Sequence, residues 1–333
     1  MRAMVCEELG SVRLRDVPDP EPGPGQVAVA VEAAGVNFVD GLFVQGGYQI
    51  KPPLPFTPGS EVAGTVAAHG PGVTGPAVGT RVLAMCGLGG FAEKVLVPAA
   101  GAVPIPDDLD APRAATFTQS FCTALFALRD RARLAAGEKV LVLGAGGGVG
   151  LAAVQVARAL GADVLAAAST EDKRAAAVEA GASGVVDTTR EDVKTAARAW
   201  ADGGVDVVYD PVGGELAEPA LRALREGGRH VVIGFASGTI PSLPLNQVLL
   251  RNRSVVGVDW GAWSMAHPLP QRALLDELLA MVAKGVLSPV APRTAPLAEA
   301  GRVLADLLER RAVGKIALVP PGSGSRAAAS ATS

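Results

Sequence analysis

The chain has 333 residues, with 30 Lys and Arg against 33 Asp and Glu, a formal net charge of −3. That length accommodates about two domains, and the near balance of charge excludes the basic face that a nucleic acid or an anionic membrane surface requires. No stretch reaches the roughly 18 uninterrupted apolar residues of a membrane-spanning helix. The first residues lack the apolar core of a secretory signal, and three scattered cysteines, Cys6, Cys86 and Cys122, make neither a disulfide framework nor a Cys-rich zinc module. A cytoplasmic globular protein is expected.

Up to about residue 115 the texture is rich in Gly and Pro. Short strand-like runs at Val27–Val31, Glu61–Ala67, Arg81–Met85 and Glu93–Pro98 predict a small β-rich domain. From there strand-like and helix-like segments alternate. Apolar runs at Lys139–Leu143, Val164–Ala168, Gly184–Asp187, Val205–Asp210, Arg229–Gly234 and Arg253–Val258 are separated by helical patterns at Gly148–Leu160, Glu171–Ala180, Glu191–Trp200 and Glu215–Arg225. Six such strands predict an α/β unit with a doubly wound parallel sheet. Beyond 259 the texture is mixed again, with helices at Gln271–Lys284 and Glu299–Arg310 and a last strand at Lys315–Val319. The expected division is therefore 118–258 for the α/β domain, inserted into a β-rich domain of 1–117 plus 259–320. The Gly/Ser/Ala-rich tail 321–333 is expected to be disordered.

The strongest local motif is Gly144-Ala145-Gly146-Gly147-Gly148-Val149-Gly150, between the first strand and the first helix of the α/β unit. Such a loop turns free backbone N–H groups and a positive helix end toward a pyrophosphate. Ala145, Gly147, Gly148 and Val149 are the candidate contacts, Ala145 standing where the motif's first glycine is usual. At the tip of the second strand an acidic residue would select the 2′-hydroxyl of NAD. This chain has Ser169 there and Lys173 four residues on, a pair that suits a 2′-phosphate, so NADPH is the expected cofactor. A solvated helix face is the other account of Lys173 and Arg174.

Taken together, Gly35-Val36-Asn37, Gly47-Tyr48, Pro58-Gly59-Ser60-Glu61, Gly79-Thr80-Arg81-Val82, Thr123-Ala124, the glycine loop, Asp210-Pro211-Val212-Gly213-Gly214 and Gly314-Lys315 resemble the medium-chain dehydrogenase/reductase superfamily. The branch resembled is the zinc-free, zeta-crystallin-like quinone oxidoreductases. The resemblance runs nearly the whole chain and implies a Rossmann domain inserted into a GroES-like catalytic domain. The zinc alcohol dehydrogenases of the superfamily hold zinc with Cys, His and Cys. The corresponding positions here are Asn37, Ser60 and Gln119, with Cys122 out of register and no four-cysteine lobe after residue 85. No catalytic metal is expected.

Without a metal, charge developing on the acceptor oxygen can be met only by hydrogen-bond donors, each contributing about 3–4 kcal/mol when preorganised. That favours acceptors whose reduced anion is delocalised, a quinone or an α,β-unsaturated carbonyl. The resemblance makes Asn37, Tyr48 and Thr123 the candidate catalytic residues, with Tyr48 as proton donor and Asp40 as a structural hydrogen-bond partner. It adds Arg190, Phe235 and Lys315 to the candidate cofactor contacts, Lys315 toward the phosphates. His69, His230 and His267 are expected at the surface or in loops. An enoyl-thioester or haloacrylate-type alkene reductase uses the same residues. A non-catalytic NADPH-binding or RNA-binding crystallin-like protein is the alternative of another class. The resemblance also implies a homodimer through the Rossmann edge strand, Arg253–Trp260.

Overall fold

The computed structural model describes residues 1–322, so the tail expected to be disordered lies outside the described residues from 323 onward. The chain folds into two compact units. One is Met1–Thr118 together with the chain from Ala291; the other is Gln119–Val290. Among the described residues no helix is long and apolar enough to cross a membrane.

The first unit is built on a seven-stranded sheet whose organising element is the long strand Gln26–Val36. Val27, Val29, Val31 and Ala33 are buried on one face of it, and from Ala33 to Val36 every residue is buried, so the end of the strand is covered on both faces. Glu61–His69 pairs antiparallel on one side of it, Lys94–Pro98 and Ile316–Val319 on the other. The register decides which side chains meet at the strand ends. Gly35 lies opposite both Glu61 and Ala317, and Val36 lies opposite Ile316. The residues flanking these pairs, Asn37, Ser60 and Lys315, are thereby drawn to one end of three adjacent strands. Gly35 is needed at this crossing: a Cβ there would lie 2.1 Å from the Ala115 carbonyl oxygen and 2.8 Å from Oε1 of Glu61.

The second unit carries a six-stranded, wholly parallel sheet. Its spatial order is Gly184–Asp187, Asp163–Ala168, Lys139–Leu143, Val205–Asp210, Leu224–Val232 and Ser254–Gly257. The chain moves outward from Lys139–Leu143 in one direction, then returns to its other side at Val205–Asp210. That reversal makes the switch point at which open α/β sheets bind ligands beyond their strand ends. The central strands are buried on both faces, as their unbroken Val and Leu runs require.

Two boundaries differ from expectation. The chain does not return to the first unit at 259 but at 291. Trp260–Ala266 forms a helix, so the edge strand is only Ser254–Gly257. Nε1 of the buried Trp260 donates to Oε1 of Gln271 at 2.8 Å. The following helix, Pro268–Ala283, buries Leu274, Leu275 and Leu278. Gln155, in the helix after the glycine loop, then clasps Ser288, donating to its carbonyl at 2.8 Å and accepting from its N–H at 3.0 Å. The loss of strand alternation at 259 marks the end of the sheet, while the helices of this unit continue beyond it.

Candidate active site

Asn37 ends the long strand in an extended conformation and starts the helix Phe38–Gln45. Its own N–H donates to Oδ2 of Asp40 at 2.8 Å, the reciprocal half of a helix-capping arrangement. The Asn37 side chain is almost fully buried. Nδ2 donates to Oε1 of Glu61 at 2.9 Å and makes a long contact with Oγ of Ser60 at 3.4 Å, while Oδ1 accepts from Nζ of Lys315. Nζ also donates to the same Oε1 of Glu61 at 3.0 Å. Glu61 is 1% exposed. A carboxylate so buried requires a cation beside it, and Lys315 is that cation.

The ammonium of Lys315, expected toward the cofactor phosphates, is engaged by Asn37 and Glu61 within the first unit. This engagement narrows what Asn37 can offer. The carbonyl end and one N–H are bonded strongly, and only the N–H toward Ser60 is at a distance where a better acceptor would win it.

Asp40 completes the cluster. It is fully buried, and its Oδ1 has no hydrogen-bond partner among the described residues. Burial pushes its carboxyl up to about 7; the Glu61 charge pushes the same way, against the Asn37 N–H, Ser60 and Lys315. Cys86 donates to the Gly59 carbonyl at 3.3 Å, and burial together with the Asp40 charge holds its thiol far above the usual range. It is neither a nucleophile nor a ready metal ligand. Tyr48 follows the same helix, partly buried, its ring edge-on to Phe43 with centroids 4.9 Å apart.

In the second unit the glycine loop has the geometry of a phosphate cradle. A Cβ on Gly150 would meet the Gly144 carbonyl oxygen at 2.4 Å, and one on Gly146 would meet Cβ of Lys173 at 2.3 Å. Not every candidate offers an N–H. That of Ala145 donates to the Ala167 carbonyl at 3.1 Å and that of Gly147 to the Gly144 carbonyl at 3.0 Å. Both are spent on shaping the loop. Gly148 and Val149 open the helix Gly148–Ala159, where first-turn N–H groups have no carbonyl one turn back. Those are the groups an anion would find.

Ser169 is exposed at the tip of the second strand, and Thr170 caps the next helix, accepting from the Lys173 N–H at 3.4 Å. Lys173 packs directly over Gly146. Arg174, by contrast, is tied to Asp187 at 3.0 Å and to the Ala168 carbonyl at 3.3 Å, a strut between neighbouring strands. Arg190 is exposed at the end of the third strand. The loop bearing Phe235 is fastened to the one after Asp210 by N–H groups of Ala236 and Ser237 donating to Pro211 and Val212. Thr123 is buried in the helix Thr118–Leu125.

The expectation for His230 is overturned. It is 1% exposed and shares a 3.0 Å hydrogen bond with Oδ2 of Asp210. Oδ1 of Asp210 accepts from the N–H groups of Val212 and Gly213, so the pair shapes the loop at the switch point. Sequence reasoning also missed Glu61 as a site residue. The available signal was a carboxylate heading a strand that is otherwise mostly apolar.

Two family models match the chain. Residues 23–107 are similar to the alcohol dehydrogenase GroES-like domain and residues 148–277 to the zinc-binding dehydrogenase domain. A quinone oxidoreductase-like protein 2 homolog of Nematostella vectensis is 38% identical over 323 residues, covering 95% of this chain and 88% of that one. The quinone oxidoreductase of Rattus norvegicus is 35% identical over 317 residues, 92% of this chain and 94% of that one. The solved quinone oxidoreductase of Thermus thermophilus, known also in complex with NADPH, is 39% identical with a TM-score of 0.82, covering 96% and 100%. The chain belongs to the zinc-free quinone oxidoreductase branch of the medium-chain dehydrogenase/reductase superfamily. It is an oxidoreductase with that branch's Rossmann and GroES-like architecture. The zinc of the wider superfamily does not fit this member. An amide, a hydroxyl and a second amide stand at the ligand positions, they are poor zinc donors, and the oxygen of Asn37 already takes a hydrogen bond from an ammonium.

Proposed function

We propose that this quinone oxidoreductase-family member transfers hydride from NADPH to a quinone or an α,β-unsaturated carbonyl, using amide and hydroxyl donors in place of a metal. The observation that carries the reading is the Asn37 amide, gripped at both ends yet with one N–H only loosely engaged. When bound, NADPH supplies the hydride. The glycine-loop N–H groups of Gly148 and Val149 hold its pyrophosphate, and Ser169 with Lys173 receives the 2′-phosphate, Lys173 by a charge-assisted hydrogen bond. Asn37 donates its Ser60-directed N–H to the acceptor oxygen as negative charge develops there, and Tyr48 returns a proton to the reduced product. A delocalised quinolate or enolate asks no more of the site than neutral donors can give. Thr123 is assigned to the nicotinamide side and Phe235 to the loop that borders it. The edge strand Ser254–Gly257 is preceded by exposed Leu245, Leu249 and Leu250 and itself exposes Val255, which supports a homodimer formed edge to edge.

The test follows NADPH oxidation at its own absorbance with a small set of quinones, enones and enoyl thioesters. Turnover with quinones or enones is expected, and Tyr48→Phe is expected to lower kcat about 100-fold, roughly the lower end for loss of a proton donor. Tight NADPH binding with no turnover on any acceptor would replace the reading with that of a binding protein.

A further inference from the structure

We propose that Glu61 and Lys315 are positioning residues for Asn37: an opposed charge pair that selects which end of the amide faces which way and holds its remaining N–H for the acceptor. The inference rests on the hydride-transfer reading above. An ammonium carries only donors and an ionised carboxylate only acceptors. The Asn37 atom against Nζ of Lys315 must therefore be the carbonyl oxygen, and the atom against Oε1 of Glu61 must be the nitrogen. Because Nζ also donates to that same Oε1 at 3.0 Å, the three groups close a ring. Rotating the amide by half a turn would set its N–H groups against the ammonium and its oxygen against the carboxylate. Neutral neighbours would leave the two orientations close in energy; these two charges leave one.

The pair is a product of the fold. Glu61 heads one of the two strands that flank Gln26–Val36, Lys315 immediately precedes the other, and the register sets Gly35 opposite both Glu61 and Ala317. The backbone of Asn37 is fixed independently by its N–H bond to Asp40, so the charges have only the side-chain torsions left to settle. Burying them is costly in desolvation, and apolar residues of similar size would often serve stability as well. Orientation of the amide is what their charges add.

The test uses the full chain with NADPH and an acceptor it reduces. Lys315→Met alone would strand the Glu61 carboxylate and risks unfolding, so the principal variant is Lys315→Met with Glu61→Gln, which removes both charges. We expect it to fold, to bind NADPH with a Kd within about twofold of wild type, and to keep its acceptor KM. Its kcat should fall about 10- to 100-fold, a fraction of the loss for deleting an oxyanion donor outright. Asn37→Ala should lower kcat about 100- to 1000-fold in the wild-type background but only by the remainder, about tenfold, in the double variant, since the pair acts only through the amide. A folded double variant with unchanged kcat, or fully additive losses, overturns the proposal. So does a raised NADPH Kd with a shrunken preference over NADH, which would assign Lys315 to the cofactor phosphates. Wild-type protein idle on every quinone and enone overturns the hydride-transfer reading itself, whereas an active wild type with an indifferent double variant overturns the positioning role alone.

Discussion

Lys173 reaches over the glycine loop only because position 146 has no side chain for it to strike. It stands four residues after the exposed, neutral Ser169. Lys173→Ala is expected to raise the KM for NADPH about tenfold, the equivalent of one charge-assisted hydrogen bond of roughly 1.4 kcal/mol net, and to leave the KM for NADH nearly unchanged; initial rates with the two cofactors measure it. Asp40 makes a different prediction. Its carboxyl is pushed up to about 7 by burial, so the folded state holds the proton more tightly than the unfolded chain does. Stability is then lost as pH rises from about 4 through about 7 and levels off above, by an upper bound of roughly 4 kcal/mol. Asp40→Asn keeps an oxygen for the Asn37 N–H and removes the charge. Its melting temperature should match wild type near pH 4 and exceed it by several degrees near pH ~8.5, as calorimetry at the two values would show.

Among the elements, the glycine loop tolerates little change. Gly150→Ala would place a methyl 2.4 Å from the Gly144 carbonyl oxygen, with no flexible side chain to yield. Loss of NADPH binding together with a melting temperature several degrees lower is expected, read by cofactor fluorescence and a thermal melt. This loop and the six strands around it were legible in the sequence, because apolar runs of about four to six residues punctuated by glycine and followed by amphipathic helices carry their periodicity locally. The Asn37 cluster was only half legible. Asn37 and Ser60 stood out as departures from a metal-ligand pattern, but Lys315 is 278 residues from Asn37, and only strand register puts them in contact. Nothing in a local window encodes a register. His230 misled for a related reason: a single histidine near a strand end looks solvent-facing until its neighbour Asp210 is known to be buried beside it.

At the scale of the molecule, the first crossing between units was expected at 117–118 and lies at 118–119, whereas the second was expected at 258–259 and lies at 290–291. A strand–helix alternation announces where a sheet begins. Its end is obscured when further helices, here Trp260–Ala266 and Pro268–Ala283, outlast the last strand. The edge strand tests the proposed assembly. A lysine at the exposed Val255 would meet its own counterpart across an edge-to-edge interface, so Val255→Lys is expected to halve the mass seen by light scattering while each unit still melts cooperatively. The order of the units along the chain has a consequence for the timing of synthesis. The cation that neutralises Glu61 arrives just ahead of the strand Ile316–Val319, after the whole second unit has been made. A nascent chain on the ribosome, with its second unit already made, therefore still carries an unbalanced carboxylate beside Asn37, and the charge pair closes only once that strand has emerged.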